Sequence, residues 1–153
     1  MSPLFLALGR VFLIIVFVYS GVNQLIDLGG TADMIASKIS IPAQFTQYTL
    51  QLEQATGMPT MRLLAIAVGG LQVVCGLLIA FNIAARWFAL LLALYTIGAT
   101  VLFHDFWNAA DALARNDALN HLLKNVAILG GLLLVVGIGP PSRDEREPQF
   151  DDH

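Results

Sequence analysis

Phe103-His104-Asp105-Phe106-Trp107-Asn108, its polar continuation to Asn120, and the following His121-Leu122-Leu123-Lys124-Asn125 form the stretch at which two long apolar runs meet. One run ends at Phe103 and the next starts at Leu122. The reading of this junction decides the fold: two core segments turn here in water, or two membrane crossings turn here at the edge of a bilayer. Of the 153 residues 57% are hydrophobic and 12% charged, against roughly 25% charged in a soluble domain, and the mean hydropathy is +0.72. Near-continuous apolar segments cannot all be buried in so small a domain, whose surface is a large share of its mass. Lipid is the expected solvent.

Working outward from the junction, residues 87–103 and 122–138 are apolar enough to cross, because about 20 residues at a 1.5 Å rise cover the roughly 30 Å hydrocarbon layer. Residues 61–81 form another such run, and residues 3–26 a further one, interrupted by Arg10, Ser20, Asn23 and Gln24. A cleaved signal peptide is the weaker reading of that first run, which has no basic n-region and no clear small-x-small exit. The link 82–86 allows only a tight hairpin, so the second and third spans are expected to be antiparallel neighbours. The predicted fold is all-α, a transmembrane four-helix bundle over residues 1–141 with a long amphipathic connection between helices 1 and 2. Within that connection Thr31 or Asp33 is expected to cap a short helix ending near Ile41-Pro42. A second helix, over 43–55, carries Phe45, Tyr48 and Leu52 on one stripe, as if to lie at the membrane interface. Pro140-Pro141 stops the last helix. The tail 142–153, with Asp144, Glu145, Glu147, Asp151 and Asp152 among few apolar residues, is expected to be disordered.

Four crossings set the loop parity. The N-terminus, the 82–86 hairpin and the tail share one side, and the long connection and the 104–121 segment share the other. Basic residues divide almost evenly, and the termini are expected in the cytoplasm on the strength of Arg86, Arg143, Arg146 and Arg10. A net charge of -3 with scattered basic residues leaves no footprint for nucleic acid. Cys75 stands alone and forms no intrachain disulfide. No Walker loop, nucleotide-binding GxGxxG, HExxH, CxxC or nucleophile elbow occurs.

The residues able to carry chemistry lie mainly at the opening stretch. His121, Lys124 and Asn125 stand at i, i+3 and i+4 and share one helix face. Snorkelling and capping account for them in the plain reading. In the functional reading, Lys124 turns into the bundle against Asp105, and His104, His121, Trp107 and Asn125 complete a polar cup approached by Gln24. An ionisable group at membrane depth is a functional candidate because its insertion costs a few kcal/mol unless it is paired or hydrated. Two imidazoles at similar depth also suit haem or a metal shared with Asp105, but no further ligand presents itself, and satisfied interfacial histidines are the preferred reading. Structural roles are expected for Arg10, by snorkelling or by pairing with Asp144 or Glu145, and for Gln72, as an interhelical bond at mid-span. Ala65, Gly69, Gln72 and Gly76, and Ala127 with Gly131, are spaced to face neighbouring helices. Trp87, Trp107, Tyr19 and Tyr95 are expected in aromatic belts.

The order of these residues resembles the DoxX family of small four-helix bacterial membrane proteins. The resemblance rests on Gly9-Arg10 before an aliphatic run, Tyr19-Ser20-Gly21 with a polar residue at 24, Gly69-Gly70-Leu71-Gln72 with Gly76, Phe103-His104-Asp105-Phe106-Trp107, and Lys124-Asn125 followed by Gly130-Gly131. It spans residues 4–139. The family commonly carries lysine where Gln24 stands and glutamate where Gln72 stands, so any proton-handling role of those positions is weakened here. The resemblance implies a bacterial inner-membrane protein similar to the membrane subunit of a thiosulfate:quinone oxidoreductase, or to membrane partners of oxidative-stress and thiol enzymes. The expected function is therefore a non-catalytic accessory subunit with no resident cofactor, binding a quinone or docking a soluble or membrane oxidoreductase. A small-solute transporter or efflux component is the alternative.

Overall fold

A computed structural model describes residues 3–103 and 112–138. The expectations for His104, Asp105, Trp107, Asp144 and the tail 142–153 fall outside those residues. Among the described residues six α-helices follow in order: α1 (Pro3–Ile26), α2 (Leu28–Lys38), α3 (Thr46–Thr56), α4 (Thr60–Ala80), α5 (Ala85–Phe103) and α6 (Ala112–Gly137), with a 3-10 turn, Ala43–Phe45, leading into α3. Among the described residues α1, α4, α5 and α6 are long and apolar enough to cross a membrane. Large apolar side chains such as Phe12, Val74, Trp87 and Leu134 point outward from all four, as they do when lipid is the solvent.

The bundle is held by two kinds of contact. Between α1 and α4 the backbones nearly touch at Gly21 and Gly69: a Cβ placed on Gly21 would stand 2.6 Å from the Gly69 carbonyl oxygen, and one on Gly69 would stand 3.0 Å from the Gly21 oxygen. Small residues permit this approach, which maximises dispersion contact where no hydrophobic drive exists between helices in lipid. Ala65, Gly69, Gln72 and Gly76 are all buried, as their spacing predicts. Beyond the seam Ile14, Phe17, Ile79, Leu92 and Leu132 form an apolar core joining all four long helices. The pair on α6 divides: Gly131 packs against Leu13 of α1, whereas Ala127 is exposed.

The link between α1 and α4 folds differently from its sequence expectation at the start. α2 opens one residue after Asp27, whose carboxylate accepts from the Gly30 amide at 2.9 Å. Asp27, not Thr31 or Asp33, is therefore the cap, and it holds Gly29 and Gly30 inside the helix instead of leaving them as a turn. Thr31 is instead buried, its hydroxyl donating to the Gln24 carbonyl at 3.3 Å. Ala32 and Ile35 of α2 pack on Ala65 of α4, with Phe103 at the edge of the same cluster. α3 ends at Gly57, which takes the left-handed conformation (φ 70°) that favours glycine. Phe45, Tyr48 and Leu52 are exposed.

The second difference is at α6. The helix begins at Ala112, ten residues ahead of Leu122, so the polar stretch before the last span is helical through its second half. Ala112, Leu113, Ala114 and Arg115 are strong helix formers, and their propensity carries the helix past the end of the apolar run. His121 consequently lies in the third turn of α6, not the first.

Candidate functional site

Two polar constructions stand inside the bundle. The first joins α1, α4 and α5. Gln72 is twelve residues from Thr60 and eight from Ala80, and Tyr95 is ten from Ala85 and eight from Phe103, so both sit near mid-span. The α1–α4 seam brings Gln24 beside them. Gln72 Nε2 donates to Gln24 Oε1 at 2.8 Å and to the Val68 carbonyl at 3.5 Å. Gln24 Nε2 donates to Ser20 Oγ at 3.3 Å, and the Tyr95 hydroxyl stands beside both glutamine side chains. Gln72 is 2% exposed, a burial that its amide tolerates only because it is bonded. The cluster is uncharged, binds its members to one another, and ties three helices at one level.

The second construction joins α5 to α6. Asn125 Nδ2 donates to Thr100 Oγ1 at 2.8 Å, while the Thr100 hydroxyl donates back to the Thr96 carbonyl at 2.6 Å and the Thr96 hydroxyl to the Leu92 carbonyl at 2.7 Å. Both threonine hydroxyls are thus satisfied within their own helix, and Asn125 attaches α6 to them.

The set expected from the sequence divides accordingly. Gln24 belongs with Gln72 and Tyr95 in the interior, and Asn125 with Thr100. His121 and Lys124 lie on an exposed part of α6, and His121 has an interaction partner there. Arg10, half-buried, donates Nε to the Leu6 carbonyl at 3.3 Å and Nη1 to Asn82 Oδ1 in the α4–α5 hairpin. The sequence expectation placed Tyr95 in an aromatic belt and gave no role to Thr96, Thr100 or Asn82. Tyr95 was placeable by counting, since a residue at least eight positions from both ends of a 19-residue span is too deep for an interfacial belt.

At the end of the bundle carrying Arg10, a cavity of about 820 Å³ opens between α1, α6 and the α4–α5 hairpin. Phe5, Leu13, Trp87, Leu134 and Val135 are among its apolar walls, and Arg10 and Arg86 both line it. Arg86 Nε donates to the Val136 carbonyl at 3.1 Å. At the other end, outside the spans, the Glu53 carboxylate of α3 accepts from the Thr60 amide at 2.7 Å and the Thr60 hydroxyl at 2.8 Å, capping α4. Those two bonds, the backbone one foremost, hold its pKa below the usual glutamate value. Among the described residues no group of three or more His, Cys, Asp or Glu side chains is placed to hold a metal ion.

No solved structure matches this chain. A curated relative, the inner membrane protein YphA of Escherichia coli (strain K12), is 27% identical over 139 residues, covering 90% of this chain and 85% of its own. The DoxX family profile matches residues 5–105, about two thirds of the sequence. Together with four apolar helices tied by uncharged interior hydrogen bonds, that match places the protein: it is a multi-pass membrane protein and belongs to the DoxX family.

Proposed function

We propose that the protein is a non-catalytic accessory subunit of the bacterial inner membrane, termini in the cytoplasm, that offers its His121–Lys124 end to a quinone headgroup within a thiol, thiosulfate or oxidative-stress redox system. The observation that carries the reading is the division of labour among polar groups. The interior ones are neutral and bonded to each other, whereas the Lys124 ammonium stands exposed on α6. The interior therefore serves cohesion, and the exposed end serves recognition. A quinone carbonyl accepts from the lysine or an imidazole, with the isoprenoid chain lying along the helices. His104, Asp105 and Trp107 complete the proposed contact set. The relative's description as an inner membrane protein supports the location, and the family resemblance supports a redox partner over a freestanding enzyme.

Titration of the purified protein with a quinone analogue tests this. Binding that Lys124→Ala weakens and Tyr95→Phe leaves intact supports the proposed end. Binding insensitive to Lys124→Ala sinks it, and sensitivity to Tyr95→Phe alone moves the ligand to the interior cluster. The alternative, a small-solute transporter, draws on the open cavity at the opposite end, and proteoliposomes that move no candidate solute argue against it.

A further inference from the structure

The cavity beside Arg10 and Arg86 lies away from the proposed quinone end. Its volume of about 820 Å³ is within the roughly 300–1,000 Å³ of ligand pockets. Its walls are mainly aliphatic and aromatic, and Phe5, Trp87 and Leu134, which line it, are also among the most outward-facing side chains of the bundle. The cavity therefore opens sideways, towards lipid, through the gap between α1 and α6 that the Leu13–Gly131 contact closes further in.

Both arginines are held in place by their own helices' surroundings. Each donates Nε to a backbone carbonyl, Leu6 for Arg10 and Val136 for Arg86, and Arg10 makes one further bond to Asn82. A guanidinium has five N–H donors, so most of the terminal donors of both residues are left over. Among the described residues neither guanidinium meets a carboxylate. Two fixed cations in an apolar, laterally open cleft are complementary to a ligand with an anionic head and a hydrocarbon body.

We propose that this cleft is a binding site for an anionic phospholipid, the phosphate held between Arg10 and Arg86 and an acyl chain lying between α1 and α6. Guanidinium forks match phosphate oxygens, and two arginines favour a headgroup of net negative charge over a zwitterionic one, whose choline cation they repel. The acidic segment after Pro141 supplies negative charge but only Phe150 as a large apolar side chain, too little to fill the walls, which is why a lipid is the better occupant.

The test is retention of lipid by the full-length purified protein, measured by native mass spectrometry from mixed micelles containing equal phosphatidylglycerol and phosphatidylcholine. Phosphatidylglycerol is expected to be retained about tenfold over phosphatidylcholine, because the choline cation of the latter is repelled by the two guanidinium groups. Arg10→Gln with Arg86→Gln is expected to abolish the preference. Gly9→Leu supplies a variant that keeps both cations, since Gly9 lines the cavity and a Cβ there meets nothing within 4 Å. It is expected to fill the cleft and lower retention of phosphatidylglycerol while leaving thermal stability near wild type. Equal retention of the two lipids overturns the proposal, as does a preference that survives both variants. Displacement of the lipid by millimolar inorganic phosphate alone would identify a free-anion site instead. Binding that emerges only when Asp144→Asn and Glu145→Gln are introduced would assign the cleft to the chain's own tail.

Discussion

Gly21→Ala is expected to loosen the bundle at its tightest point, and the cost can be worked from geometry. The new methyl carbon would stand 2.6 Å from the Gly69 carbonyl oxygen, 2.9 Å from Val73 Cγ2 and 3.0 Å from Gln72 Cβ. Two of these neighbours are backbone or near-backbone atoms of α4 that cannot rotate away, so α1 and α4 must separate by several tenths of an ångström. Overpacking of this kind costs about 1–3 kcal/mol. Against it stands the better helix propensity of alanine, about 1 kcal/mol. The net expectation is a loss of about 0–2 kcal/mol, about 1–3 kcal/mol worse than a glycine-to-alanine change that meets no neighbour, with the 2.8 Å Gln24–Gln72 bond stretched as the helices part. Gly70→Ala is the matched control: it is one residue from the seam, its Cβ would meet nothing within 4 Å, and it keeps only the propensity gain. Reversible unfolding in mixed detergent micelles, followed by circular dichroism, measures both. Equal stability of Gly21→Ala and Gly70→Ala would refute the close α1–α4 approach.

Other substitutions examine the remaining contacts. Gln72→Leu leaves Gln24 and Tyr95 without their shared partner and should destabilise the bundle by about 0.6–2 kcal/mol, more than Tyr95→Phe, in the same unfolding assay. Asn125→Leu should lower stability by about 0.5–1.5 kcal/mol through loss of the Thr100 bond, and a Thr100→Val background should remove most of that difference. Glu53 gives a pH dependence. Its folded pKa is depressed, so its cap on α4 is fully present above the normal glutamate range and is lost as pH falls through the folded value. Hydrogen exchange at the Thr60 amide should accelerate relative to neighbouring amides below that range in the wild type and show no such pH step in Glu53→Gln.

Much of the architecture was legible because lipid makes hydropathy decisive: a run that must satisfy its own backbone groups in hydrocarbon can only be a helix. The inward face of α4 was equally readable, since Ala65, Gly69, Gln72 and Gly76 repeat with the helix and small residues there have one use. The start of α6 was not, because residues 112–121 are polar but helix-favouring, and a hydropathy boundary is not a helix boundary. Asp27 was overlooked as a cap because two glycines follow it, and glycine reads as a turn until a carboxylate is seen bonding the amide of the second. The grouping of side chains was the least legible part. Gln24, near the end of its own helix, reaches mid-span because α1 is shifted along α4, and nothing in either sequence run fixes such a shift. Arg86, one residue into α5, gave no hint that Arg10 would share a cavity with it.

The amides and phenol that tie the three helices together carry no formal charge. An electric field across a bilayer does work of about 2.3 kcal/mol on each elementary charge moved through 100 mV, and on a fixed neutral dipole only a small fraction of that. The joint between α1, α4 and α5 is therefore insulated from changes in energisation: collapse of the proton gradient, or a swing in voltage, leaves its strength unaltered. A lysine and a glutamate in the same two places would have opened that joint to titration, and so to changes in pH.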